Sequence, residues 1–213
     1  MKKQPAAEVL LYVVRHGTTA LNSANRFRGH EDVPLDRNGY KEAEALAHYF
    51  SAIPLAAIVH ADLKRAKATA IAIQQYHKMH RLPLEVDPAL RAWDFGDFSG
   101  KRKSRVRLRQ LGDFVDHPRK KLPGGESLKQ FQQRVQPVLR AAIEAGKEAD
   151  QPILLVTSSS VIHELGQMIN GDAKSTLVEP GGCAVVGRIG DVLLAAPLLK
   201  PDLSGDKPEG PIS

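Results

Sequence analysis

The sequence predicts an α/β fold in which helices cover both faces of a mainly parallel sheet. Two observations carry this. Short apolar runs rich in β-branched residues recur at Val9–Val14, Ala56–His60, Leu84–Val86 and Ile153–Val156. Runs this short, without polar alternation, read as strands buried on both faces, which is the habit of parallel sheets. Between them lie segments whose apolar residues fall at helical spacing, so strand and helix alternate along the chain.

Each element has its own signal. Val9-Leu10-Leu11-Tyr12-Val13-Val14 stops at Arg15-His16-Gly17 and reads as the central strand. After a turn-like Val33-Pro34-Leu35-Asp36, the residues Ala43, Leu46, Ala47 and Phe50 mark one helix face. Ala56–His60 is the second strand, and a helix starting near Leu63 places Ala66, Ala70 and Ile73 on one side. Pro83 precedes a third strand at Leu84–Val86, and Leu90–Gly100 is a loop. Ser127 reads as an N-cap with Gln130 completing a capping box. The stripe Leu128, Phe131, Val135, Leu139 and Ile143 then marks a long helix that Pro137 should kink. Ile153–Val156 is the next central strand, and Val161–Ile169 a helix ending near Asn170-Gly171. Two last strands flank the Gly190-Asp191 turn.

Length and composition bound the function. The 213 residues suit one domain over 1–196, and the Pro/Gly/Asp/Lys-rich stretch 197–213 is expected to be disordered. No apolar run approaches the ~20 residues that span a bilayer, so no membrane partner is expected. Met1-Lys2-Lys3 could imitate a leader, but Glu8 precedes the apolar run and Arg-His-Gly ends it, so the run reads as a strand. Cys183 is the only cysteine, which points to a reducing cytoplasm. No Walker loop, dinucleotide fingerprint or zinc spacing appears, and neither a metal nor a cofactor is expected. His77 and His80, three apart, read as a solvated helix face. The net charge of +6 favours anionic partners. It is concentrated in nine Lys and Arg between Lys101 and Lys121, opposed only by Asp113 and Asp116. The segment reads as a solvated face, or as a set of cations of which some point at a substrate with more than one anionic group. It lacks interleaved aromatics, so nucleic acid is not expected as a partner. The oligomeric state is left open.

In parallel sheets ligands bind at the carboxyl ends of the strands, where Arg15 and His16 would sit. An imidazole beside a guanidinium suits phosphate chemistry: one attacks phosphorus, the other holds two oxygens in a planar fork. Further motifs follow in order: Asn22, Arg26-Phe27-Arg28-Gly29, Asp62-Leu63-Lys64-Arg65-Ala66, Leu90-Arg91, Phe95-Gly96 and Pro123-Gly124-Gly125-Glu126-Ser127. From about Val9 to about Ala196 the chain resembles the histidine phosphatase superfamily, in its phosphoglycerate-mutase-like branch.

The resemblance implies a three-layer α/β/α core with a small cap built from about 101–122. By match, His16 is the nucleophile that becomes phosphohistidine, and Arg15 and Arg65 bind the phosphoryl oxygens. Asn22 matches a position that can hydrogen-bond the same group. Arg26 and Glu126 match positions near the mouth, where either could be structural. Two positions depart from the pattern. Ala92 stands where the family has its general-acid Glu, and Ser158 where it has a second imidazole. Ser158 can still hydrogen-bond phosphate. Asp94, two residues beyond the lost acid, is the candidate replacement; His60 and His163 are the others. The expected function is a phosphatase, a slow one, acting on a small phosphorylated metabolite through phosphohistidine. The alternative is a degenerate member that binds a phosphorylated ligand or partner without turnover.

Overall fold

The computed structural model describes residues 8–79 and 81–198. Its frame is a six-stranded sheet. The strands are β1 (Glu8–Arg15), β2 (Ala57–His60), β3 (Leu84–Val86), β4 (Ile153–Thr157), β5 (Cys183–Ile189) and β6 (Val192–Leu198). They lie in the order β3-β2-β4-β1-β5-β6, so β4 and β1 are central. β1, β2, β3 and β4 are parallel to their neighbours among themselves, while β5 and β6 run antiparallel. The β1 run therefore has a parallel neighbour, β4, on one side and an antiparallel one, β5, on the other. Its apolar continuity fits burial on both faces: Leu10, Leu11, Val13 and Val14 are all buried.

The helices are α1 (Ala20–Ser23), α2 (Arg37–Phe50), α3 (Lys64–Tyr76), α4 (Arg105–Asp116), α5 (Leu128–Ala149) and α6 (Ser159–Asn170). The steps from β1 to β2 and from β2 to β3 move the same way across the sheet, and the step from β3 to β4 moves back. Right-handed crossovers then put α2 and α3 on one face and α5 on the other. The packing agrees, since α2 lies on α3 and α5 lies on α6 and β1. At that second face a Cβ on Gly146 would come 2.1 Å from the Leu10 carbonyl oxygen, so only glycine lets α5 approach. Leu11, Val13, Ile58, Leu154 and Leu155 are fully buried between the layers.

Several expectations shift. α6 begins at Ser159, two residues early, capped in backbone geometry by Ser158. The Ser127–Gln130 capping box forms, and α5 runs from Leu128 to Ala149 with Pro137 inside it. The basic segment contains a helix, α4, that the sequence reading does not anticipate. His77 lies just beyond α3, buried, with its Nε2 2.9 Å from the Ile53 carbonyl, so it is no solvated face. His80 and the stretch 199–213 lie outside the described residues.

Candidate active site

Adjacent carboxyl ends of β1 and β4 bring the sequence candidates together. Arg15 pairs in register with Thr157, so His16 and Ser158 leave neighbouring strands side by side. The chain then turns through Gly17, whose Cβ would stand 2.4 Å from the Gly39 carbonyl oxygen. That contact seats the start of α2 against the loop after His16, and Glu42 of α2 accepts the Thr18 N–H at 2.7 Å.

His16 is 1% exposed. Its Nδ1 lies 2.7 Å from the Gly17 carbonyl, which can only accept, so Nδ1 carries the proton. Nε2 is left as a lone pair, and Arg65 Nε donates to it at 3.1 Å. Burial holds the imidazole's pKa well below 6.5, and the guanidiniums of Arg65, Arg28 and Arg15 push the same way. A neutral ring with a bare Nε2 is the state a nucleophile needs.

Arg65, in the first turn of α3, is itself 1% exposed. Its two terminal nitrogens donate to the carbonyls of Glu31 at 2.5 Å and Gly29 at 2.9 Å. Burial lowers its pKa to about 10, which leaves it charged at neutral pH. Arg15 donates to the Val178 carbonyl at 2.7 Å, while its buried Nε finds no partner among the described residues. A buried donor without an acceptor costs about 1–3 kcal/mol, and an anion beside His16 would relieve that.

A small cavity lies against this group. His16, Arg65, Thr157 and Ser158 form its polar side, and Ala61, Leu63, Ala66, Leu90 and Ala92 its apolar wall. Ser158 is 6% exposed, and its hydroxyl shares a hydrogen bond with that of Ser160. Asn22 is tied into the capping box of α1: its side-chain oxygen accepts from the Thr19 N–H and hydroxyl. That fixes the amide orientation a few residues beyond His16.

Asp94, like Arg15 and Asn22, is not among the residues that line the cavity. Its Oδ1 accepts the Gly96 N–H at 3.0 Å, and its Oδ2 lies 3.8 Å from His30 Nδ1. Gly96 sits at φ +49 beside Gly125, so the carboxylate supports a turn that only glycine enters readily. Ala92, by contrast, lines the cavity at 4% exposure. Its loop is pinned at many points. Arg134 donates to the carbonyls of Ala89, Arg91 and Ala92, Glu126 accepts the Asp94 N–H, and Ser160 accepts the Trp93 N–H. Glu126 is thus a loop anchor, closed by its ion pair with Arg134. Arg26 is structural too, donating to the Gly100 carbonyl at 2.6 Å. His60 turns its Nδ1 to the Ala61 carbonyl at 2.7 Å.

Two residues to which sequence reasoning gave no individual role stand out. Burial drives the Arg28 pKa down to about 9, and the guanidiniums of Arg15 and Arg65 add to the fall. Lys103 is lowered by burial and then by Arg28 and Arg15. Arg28 belongs to the charge field around His16, and Lys103 to that around Arg28 and Arg15. Arg28 sat inside a quoted motif, and Lys103 inside the basic segment. A side chain's direction, which separates Arg28 from Arg26 and Lys103 from its exposed neighbours, is decided by contacts between loops distant in sequence.

Residues 11–178 match the model of the histidine phosphatase superfamily, branch 1. This chain belongs to that superfamily. The relatives include mutases and phosphatases. The chain is 33% identical over 65% of its length to 2,3-bisphosphoglycerate-dependent phosphoglycerate mutase 2 of Gloeobacter violaceus, covering 67% of it. It is 32% identical over 58% of its length to the fructose-2,6-bisphosphatase TIGAR of Xenopus laevis, covering 46%, less than half of that protein. Among solved structures, the phosphoglycerate mutase of Thermus thermophilus superposes with a TM-score of 0.67 at 27% identity, over 89% of this chain and 98% of that one. The α/β sheet with helices, expected from the sequence, is the fold of this superfamily member.

Proposed function

We propose that this histidine phosphatase superfamily member is a phosphatase acting on a small phosphorylated metabolite through a phosphohistidine intermediate. One observation carries the reading: a buried neutral imidazole presents Nε2 between guanidiniums, at the edge of a cavity. In this proposal the Nε2 lone pair attacks phosphorus. Arg15, Arg65 and Arg28 neutralise the phosphoryl oxygens, with the Ser158 hydroxyl and the Asn22 amide as hydrogen-bonding partners. Arg65 moves its Nε–H from the imidazole to a phosphoryl oxygen as substrate binds, which frees the nucleophile. Asp94 holds the loop that carries Ala92. The domain is taken as a single unit over 1–196, with 101–122 as its cap.

Among the described residues no helix is long and apolar enough to cross a membrane. A cytoplasmic setting is part of the proposal and rests on the lone, buried Cys183.

The test is turnover of p-nitrophenyl phosphate together with trapping of acid-labile phosphoprotein. Wild type should show both, and His16→Ala neither. Unchanged turnover in His16→Ala sinks the mechanism. A wild type that binds phosphate in competition assays yet turns nothing over favours the degenerate, binding-only member, for which the alanine at 92 is the motivating observation.

A further inference from the structure

The cavity wall beside His16 contains no proton donor for a leaving group. Among the described residues that line it, the ionisable ones are His16 and Arg65. Leu63, Leu90 and Ala92 close the rest with hydrocarbon. Asp94 is spent on the Gly96 turn, and hydrogen bonds at Ala89, Arg91, Ala92, Trp93 and Asp94 hold its loop in place. Among the described residues nothing along this wall stands to protonate a departing oxygen. His163, whose pKa is lowered by burial and by the charges of Arg15 and Lys103, is held toward the neutral form that is a poor acid. An alkoxide departs as a strong base comparable to hydroxide, whose conjugate acid ionises only far above neutral pH. A phosphate monoester departs as an anion whose conjugate acid has a pKa of ~6. Only the second kind of leaving group suits the wall.

The mouth argues the same way by charge. The Arg28 loop is laced to the segment that carries Lys103. Phe27 N–H donates to the Lys101 carbonyl, Gly100 N–H to the Phe27 carbonyl, and Lys103 N–H to the Asn25 carbonyl. The Lys103 ammonium lies 5.8 Å from the centre of the Phe27 ring, next in sequence to Arg28. The lacing holds Arg28 and Lys103 on the same loop pair, with Arg28 facing the charges of Arg15 and Arg65 and Lys103 those of Arg28 and Arg15. A lone phosphoryl group does not need that many cations.

Resting on the phosphatase reading above, we propose that the substrate is a phosphoanhydride: the terminal phosphoryl group of a diphosphate or triphosphate, whose departing phosphate is held as an anion by Arg28 and Lys103 instead of being protonated. His16 Nε2 attacks the terminal phosphorus, and the N–P bond forms as the bond to the bridging oxygen breaks. The electron pair stays on that oxygen, which becomes a terminal oxygen of the shortened phosphate. Water then attacks the phosphohistidine, the N–P electrons return to Nε2, and a proton is released to solvent. The sum is anhydride plus water giving two phosphates.

Four probes separate leaving-group basicity from leaving-group charge: ethyl phosphate, 3-phosphoglycerate, p-nitrophenyl phosphate and ADP. The expected order of kcat/KM is ADP above p-nitrophenyl phosphate, with both alkyl esters at least 100-fold below. Lys103→Ala should lower the ratio of ADP to p-nitrophenyl phosphate at least tenfold, with Lys103→Arg restoring most of it. Turnover of ADP without p-nitrophenyl phosphate also supports the proposal. If 3-phosphoglycerate matches ADP, or if the ratio is indifferent to Lys103→Ala, the anhydride assignment is wrong while the phosphatase reading stands. If all four probes are inert and no phosphoprotein forms, both fail.

Discussion

Arg65 Nε donates to His16 Nε2 at 3.1 Å, on the opposite side of the ring from the Gly17 carbonyl that holds the Nδ1 proton. The two contacts select one tautomer and keep the ring neutral. The same guanidinium is fixed by the carbonyls of Gly29 and Glu31. One buried side chain therefore links the nucleophile to the loop that carries Arg28.

The depressed pKa of His16 has a kinetic and a thermodynamic consequence. The neutral form is the nucleophile, so the acid limb of kcat/KM belonging to His16 should fall below pH 6.5. In the unfolded chain the ring titrates near 6.5 and in the folded chain well below it. Between those values the unfolded state binds more protons, so stability drops as pH falls. While the folded ring stays neutral, the drop is about 1.4 kcal/mol per pH unit below the unfolded pKa. Urea melts at pH 7 and pH 5 should therefore show a smaller loss for His16→Ala than for wild type. Equal losses would mean that the ring charges freely in the folded protein.

Arg65→Lys keeps a positive charge but cannot span three acceptors with a planar fork. It should lower kcat/KM on an aryl phosphate by roughly 100-fold or more. It should also destabilise the fold by about 1–3 kcal/mol, because the Gly29 and Glu31 carbonyls lose a partner. A change below threefold would place Arg65 in a purely structural role.

Ala92→Glu returns a carboxyl to the cavity wall, and Asp94→Asn tests the residue that sequence reasoning put forward as the acid. The first should speed hydrolysis of an alkyl phosphate by ~10-fold or more, toward the range general acids supply. It should gain little on an activated aryl ester, and overpacking a site 4% exposed should cost about 1–3 kcal/mol. Asp94→Asn keeps an oxygen for the Gly96 N–H and should change either rate by less than about threefold. A loss of ~100-fold confined to the alkyl ester would instead make Asp94 the acid.

Glu126→Ala leaves the Arg134 guanidinium without its carboxylate and the Asp94 N–H without its acceptor. A destabilisation of about 2–4 kcal/mol is expected in thermal or chemical melts. Activity at a temperature where the variant stays folded should fall as the Ala92 loop loosens. Full stability would show that the Pro123–Ser127 segment does not anchor that loop.

Much of the fold was legible because it is written in local periodicity. The Val9–Val14 run, the α5 stripe and the Ser127–Gln130 box each formed where residue spacing put them, since apolar burial and capping act between neighbours in sequence. His16 and Arg65 were legible too, as motif residues at strand and helix ends. Ala92 and Ser158 were legible as departures only through the resemblance. α4 was not legible: its apolar residues Val106, Leu108 and Val115 remain exposed, so no buried stripe marked it.

The sequence by itself determined that this chain alternates strand and helix and carries Arg-His-Gly at the end of a buried strand. The resemblance it carries implies that Ala92 and Ser158 depart from the family pattern. Only the tertiary structure decided which of the remaining charged residues gather around His16. Arg26 and Arg28 are two residues apart, yet one caps the Gly100 carbonyl while the other joins the charge field of the site. Asp94 lies two residues from Ala92 and serves a turn instead of the cavity. Such outcomes depend on hydrogen bonds between loops that strand order brings together across the sheet. Those loops are far apart in the chain, and no local spacing encodes their meeting.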